Sequence, residues 1–227
     1  MSSLYLALNI GSIAIPFLAS FHPRLKFYKR WKHLFFSILL TSVIFIVWDI
    51  YFTENGVWGF NENYLIGIYL FGLPLEEWLF FLCIPYACIF SHYAILELAP
   101  NLKLSDKIVK VITGLVLLAF LLLTILNYSK LYTLFNYALA FIVLLLTYSF
   151  KPELLKSYFL TFLFMLIPFF LINGILTGSF IENEVVWYNN IENLGIRIGT
   201  IPFEDITYAF TLILLSLFLI NTFDKKH

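Results

Sequence analysis

FTENGVWGFNENYLIGIYLFGLPLEEWLFF (Phe52 to Phe81) and FIENEVVWYNNIENLGIRIGTIPFEDITYA (Phe180 to Ala209) decide the fold, because they lie over one another without a gap at an offset of 128. Nine of the thirty positions are identical: Phe52/Phe180, Glu54/Glu182, Asn55/Asn183, Val57/Val185, Asn61/Asn189, Gly67/Gly195, Ile68/Ile196, Pro74/Pro202 and Glu76/Glu204. Glu77/Asp205 and Phe60/Tyr188 are conservative pairs. Several matches are polar, Gly or Pro, so shared apolar composition does not explain them. Each stretch ends in Pro-x-acid-acid at the mouth of a long apolar run.

Composition sets the medium. Of 227 residues, 61% are hydrophobic and 12% charged, with zero formal net charge. A water-soluble domain of this size cannot hide so much apolar surface, whereas a bilayer accepts it. Apolar segments long enough to span fall at about 5–20, 34–52, 74–97, 108–127, 131–149, 157–176 and 202–222, which predicts seven helices. The first has no basic residue ahead of it and is expected to be retained rather than cleaved as a signal peptide.

Lys and Arg orient the chain. With the N-terminus outside, Arg24, Lys26, Lys29, Arg30, Lys32, Lys103, Lys107, Lys110, Lys151, Lys156, Lys225 and Lys226 fall on the cytoplasmic side, leaving Lys130 and Arg197 outside. A plasma-membrane protein with an external N-terminus and a cytoplasmic C-terminus is expected. The repeat then comprises helices 1 to 3 and 5 to 7. An odd repeat joined directly would be inverted, but a linking helix restores its orientation, giving two parallel three-helix repeats (3+1+3) of an all-α integral membrane protein. The expected units are residues 1–97, a linking helix within 98–130, and residues 131–227. Both acid motifs enter the membrane from the same side, around one central site.

A Pro followed by acids is ordinary helix-start chemistry, since negative charge suits the amino end of the dipole. A generic start does not require the same Pro, spacing and acid pair twice, and ionisable groups at the membrane end of spanning helices are functional candidates. The helix dipole favours the anion by only about 0.3–1 kcal/mol. Burial in an apolar bundle opposes ionisation more strongly, and so does a second acid alongside. At least one carboxyl is therefore expected to keep its proton and to offer it to a lipid-dissolved substrate.

At this point the residues resemble a known family. GLPLEEWLFF with Pro85 inside the helix, together with IPFEDITY, is similar to the paired motifs of the integral-membrane lycopene cyclases, in their fused tandem form. The resemblance spans both halves. It implies a cofactor-free, metal-free cyclisation of lycopene: a proton adds to the terminal 1,2 double bond, the 5,6 double bond attacks the cation, and proton loss closes a β-ionone ring. Its partners would be the linear carotenoid and the surrounding lipid, with no nucleic acid and with other carotenoid enzymes as possible neighbours. The family motif marks Glu76, Glu77, Glu204 and Asp205 as a catalytic set, with Pro74 and Pro202 as structural anchors.

Within that set, Glu76 is the expected donor and Glu77 its partner, because no basic residue lies nearby in the chain. Arg197 precedes Glu204 and Asp205, and an ion pair would keep one of them ionised as base or cation stabiliser. Trp78, Phe80, Tyr208, Asn61 and Asn189 are candidates to hold the substrate or its cation, aromatic faces being suited to a positive charge. Trp58 and Trp187 read better as an interfacial belt. Asp49, at the outer end of helix 2, aligns with Thr177 and so stands apart from the duplicated set, although an acid in a membrane segment merits a test.

Other chemistries lack their residues. The sequence has no GxGxxG, too few His for a di-iron cluster, no Asp-rich diphosphate motif, and no Lys in the last helix for a retinal Schiff base. Cys83 and Cys88, five apart on one helix, do not face each other, so no disulfide is expected. Two alternatives stay open: a carotenoid 1,2-hydratase, in which water captures the same cation, and a proton-coupled 3+1+3 transporter.

Overall fold

The computed structural model describes residues 3–224, so Lys225, Lys226 and His227 lie outside the described residues. Seven α-helices dominate: α1 Leu4–Ala19, α2 Trp31–Glu54, α3 Leu75–Leu98, α4 Asp106–Leu126, α5 Leu131–Phe150, α6 Pro152–Leu176 and α7 Phe203–Phe223. The predicted spans match these within a few residues, except that α6 starts earlier, with Pro152 at its first position where no backbone donor is lost. Among the described residues, six helices are long and apolar enough to cross a membrane, while α1 has 16 residues and is shorter. This is a multi-pass membrane protein.

The residues sort as lipid demands. Leu39, Val47, Leu115, Ile167 and Leu171 are exposed on the outside of the bundle, where tails replace water. Polar side chains point inward and are hydrogen-bonded between helices: Ser42 to the Phe81 carbonyl, Tyr158 to the Phe210 carbonyl, and His92 with Thr161. α3 and α7 lie centrally and touch one another; α1 packs on α3, α5 on α7, and α2 against both central helices. α4 packs mainly on α5 and buries only a narrow face through Val109, Thr113 and Phe120. Cys83 and Cys88 are free.

The long loops carry six short strands: β1 Trp58–Phe60, β2 Tyr69–Leu70, β3 Leu73–Pro74, β4 Val186–Tyr188, β5 Arg197–Ile198 and β6 Ile201–Pro202. β1 pairs antiparallel with β4, opposing Gly59 to Trp187. The contact is reciprocal: Asn61 N–H donates to the Val185 carbonyl at 2.9 Å, and Asn189 N–H to the Val57 carbonyl at 2.8 Å. These four residues are repeat partners, so the two loops clasp each other through equivalent atoms. β2–β3 and β5–β6 are hairpins in the same register, Tyr69 opposite Pro74 and Arg197 opposite Pro202. Gly67 and Gly195, identical in the repeat, both hold positive φ (83° and 72°), a backbone state that a side chain would strain.

The helix ends remote from these loops gather the basic residues. Arg24 meets Glu97 at 3.7 Å, Arg30 meets Asp224 at 3.7 Å, and Lys156 bridges Asp106 and Glu153 at 2.7 Å each. Acid motifs and basic loops thus occupy opposite ends of the bundle.

Candidate active site

Pro74 and Pro202 end their hairpins in extended conformation and launch α3 and α7. The first turn of each helix is then fastened twice. Asn9 Nδ2 of α1 donates to the Glu76 carbonyl at 2.7 Å, and Asn136 Nδ2 of α5 donates to the Glu204 carbonyl at 2.8 Å. Glu76 Oε1 accepts the Ile66 N–H at 2.6 Å, and Glu204 Oε1 accepts the Leu194 N–H at 2.7 Å. Both glutamates are fully buried, and each leaves its Oε2 without a partner among the described residues. They hold the incoming loop against the helix start.

The second acid of each pair, about 100° further round its helix, points elsewhere. Glu77 and Asp205 both line one cavity of about 500 Å³, whose walls are otherwise mostly apolar and aromatic. Tyr5 O–H donates to Glu77 Oε2, and Tyr132 O–H donates to Asp205 Oδ1, each at 2.5 Å. Asp205 Oδ2 also accepts from Asn173 Nδ2 at 2.8 Å and from the Tyr188 hydroxyl at 3.0 Å. Burial first, then the neighbouring Asp205 carboxylate, holds the Tyr188 phenol well above its ordinary range, so that it stays a neutral donor. Three donors on one carboxylate suit the anion.

Glu77 is served differently. Besides Tyr5, the Asp49 carboxyl of α2 lies within hydrogen-bonding reach of it. Asp49 is buried, and its Oδ1 accepts from Trp58 Nε1 at 2.7 Å and, more weakly, from the Thr53 hydroxyl at 3.4 Å.

Aromatic rings complete the chamber. Trp58 stands edge-on to Tyr132 at 5.1 Å and to Tyr188 at 6.0 Å, and Tyr132 stacks with Tyr188 at 5.8 Å. Tyr208, Phe80 and Phe60 add further faces. The cavity runs between α1 and α6 to a rim at Gly11, Ile15 and Leu171, all exposed on the outside of the bundle. The equivalent seam between α2 and α5 is filled by Trp48, Phe52 and Phe135, with Phe52 and Phe135 edge to face at 5.6 Å.

Of the sequence candidates, Glu77, Asp205, Phe80 and Tyr208 meet at the cavity, while Glu76 and Glu204 sit one position away in the loop anchorage. The expected ion pair of Arg197 does not form among the described residues. Its guanidinium donates to the Thr200 carbonyl at 2.6 Å and to Asn190 Oδ1 at 2.9 Å, folding the β5–β6 hairpin onto the loop. Asn61 and Asn189 use their Oδ1 atoms to accept the backbone N–H two residues on, which shapes the loops rather than the cavity. Trp78 caps the Leu70 carbonyl at 3.2 Å, away from the chamber. Trp58, read as an interfacial belt residue, is instead buried in the wall, whereas Trp187 is 39% exposed.

Sequence reasoning missed Tyr5, Tyr132 and Asn173. A signal existed for the first two: Tyr5 and Asn9 recur as Tyr132 and Asn136, four residues apart on one helix face in both halves. No group of three or more His, Cys, Asp or Glu among the described residues is arranged to hold a metal ion. Neither the curated proteins nor the solved structures yielded a match. A family model described as lycopene cyclase matches the chain twice, over residues 2–95 and 129–223, which leaves out little more than α4. The duplicated acid motifs, the reciprocal loop clasp and this double match together establish that the chain belongs to the lycopene cyclase family.

Proposed function

We propose that the protein cyclises the ends of lycopene to β-ionone rings by cofactor-free acid catalysis, and the observation that carries this reading is that Glu77 and Asp205, one from each half, face a single aromatic cavity. Glu77 protonates the terminal 1,2 double bond. The 5,6 double bond attacks the resulting cation, and Asp205, held as an anion by Tyr132, Tyr188 and Asn173, balances the charge and takes the departing proton. No net redox change occurs. Trp58, Tyr132, Tyr188 and Tyr208 offer π-faces to the passing cation and few competing nucleophiles.

The substrate reaches the chamber sideways from the lipid, between α1 and α6, where the rim meets the outer surface. Residues 1–97 and 131–227 act as two parallel three-helix repeats, and α4 within 98–130 restores orientation between them. Loop exchange between equivalent residues and the shared position of both acid motifs support this 3+1+3 reading. The basic ends face the cytoplasm of a plasma membrane, and the acid motifs open near the outer surface.

The test is expression in a bacterium that accumulates lycopene, followed by pigment chromatography. Ring-bearing products support the proposal. Hydroxylated linear products would make the protein a hydratase, and unchanged lycopene with the protein correctly inserted would overturn the reading.

A further inference from the structure

Among the described residues, Asp49 is the one acid buried within the bundle that the repeat does not duplicate. It does not line the cavity wall to which Glu77 belongs, and its Oδ2 meets no donor. The group within reach of it is another carboxyl, that of Glu77. Two carboxylates are both pure acceptors and repel one another, so a hydrogen bond between them requires one shared proton. In the second half, Asn173 approaches Asp205 instead and donates Nδ2–H at 2.8 Å. An amide needs no such proton and favours the anion. The two acids of the cavity therefore differ through their neighbours on α2 and α6.

We propose that Asp49 is a positioning residue for proton donation: it shares one proton with Glu77 and so presents the cavity with a carboxylic acid where the other half presents a carboxylate. The remaining bonds of the group fit this role. Trp58 and Thr53 fix Asp49 through Oδ1, and Tyr5 fixes Glu77 through Oε2. In the reaction the shared proton passes from Glu77 to C2 of the terminal double bond, which leaves the tertiary cation at C1, and the pair is left with two negative charges. The ring carbon then releases a proton to Asp205. Return of that proton to the pair closes the cycle, so none is consumed. The inference rests on the cyclase reading.

The test uses the full chain in lipid vesicles loaded with lycopene, by activity and by infrared spectroscopy. The wild-type spectrum should contain a protonated-carboxyl C=O stretch that is lost in Glu77→Gln and equally lost in Asp49→Asn, because the amide that replaces the Asp49 carboxyl would donate to Glu77 as Asn173 donates to Asp205. Asp49→Asn should lower kcat by at least about 100-fold, the lower range for loss of general acid catalysis, with KM little changed. Asn173→Asp, which sets a carboxyl against Asp205, should add a second such band; this spectral gain needs no activity. An Asp49→Asn protein that keeps the band, or cyclises within about threefold of wild type, would overturn the inference. Ring formation by the wild type in the same vesicles separates that outcome from failure of the cyclase reading, in which the wild type makes no rings either.

Discussion

Replacing Glu76 and Glu77 one at a time by Gln separates loop anchorage from proton donation, since the two side chains differ in position and not in chemistry. At position 77 the amide oxygen can still accept from Tyr5, now at 2.5 Å, and its NH₂ can donate to Asp49, so the fold is expected to hold. What is lost is the transferable proton, and cyclisation should fall by about 10²- to 10⁴-fold. At position 76 the amide oxygen can still take the Ile66 N–H, now at 2.6 Å. Its NH₂ would then occupy the buried Oε2 site, which has no partner among the described residues. An unmet donor then replaces an unmet acceptor, each costing about 1–3 kcal/mol, so the net change is small against a stability of about 5–15 kcal/mol. Glu76→Gln should therefore leave the melting temperature nearly unchanged, and the activity per folded molecule should stay within about tenfold. The assay is ring formation in lycopene-accumulating cells, normalised to inserted protein by immunoblot, with thermal unfolding of the purified variants. Loss of more than about 100-fold in Glu76→Gln, with Glu77→Gln within about tenfold, would refute the placement of the acid and return the donor to the first glutamate.

Three other outcomes follow from the architecture. Gly11→Trp, at a rim position where an added Cβ meets nothing within 4 Å, should obstruct the α1/α6 opening and slow turnover of lycopene in vesicles at least about tenfold, whereas Leu115→Trp on the exposed face of α4 should not. Reporter fusions should place the end of the chain in the cytoplasm and an insertion between Glu182 and Glu184 outside; the reverse would put the acid motifs at the wrong surface. Residues 1–97 and 131–227, expressed together as separate chains, should assemble and form rings, because most of their mutual contacts bypass α4. Correct insertion of both without activity would show that α4 contributes to the site.

The sequence exposed the parts of the fold that rest on composition and repetition, and hid those that depend on direction around a helix. Hydropathy located all seven helices, and the offset of 128 gave the register in which Asn61, Val57, Asn189 and Val185 clasp. The acid motifs were legible as a set, but adjacent glutamates differ by about 100° of rotation, and nothing in PLEE says which of them faces the partner half. Nearness in the chain points Arg197 at the acids, yet the tight β5–β6 hairpin turns its guanidinium back onto the Thr200 carbonyl. Trp58 looked interfacial because it lies in a loop, and only the β1–β4 pairing carries that loop inward over the cavity. Asp49 aligns with Thr177, so the repeat marks it only as a membrane acid that merits a test, outside the duplicated set. The residue that plays the corresponding part opposite Asp205 is Asn173, one helical turn earlier, since α2 and α6 do not keep the loop's offset.

Duplication by itself makes two like sites, whereas closing a ring through a cation needs unlike ones, an acid at the start and a base at the end. Near-symmetric packing delivers Glu77 and Asp205 to one cavity, each with a tyrosine donor from the helix that flanks its own. The difference between them then needs no change in the motif. On the proposed mechanism, a carboxyl beside the first and an amide beside the second hold a proton at one wall and a charge at the other. The same division marks the bundle's outer face, where one of two related seams is open and the other is packed with rings. On the proposed route, a linear chain entering through the open seam reaches one acid and one base with one end at a time. A bicyclic product therefore requires the monocyclic carotenoid to leave and return reversed, and with lycopene in excess the monocyclic compound should accumulate in the membrane before any bicyclic product is seen.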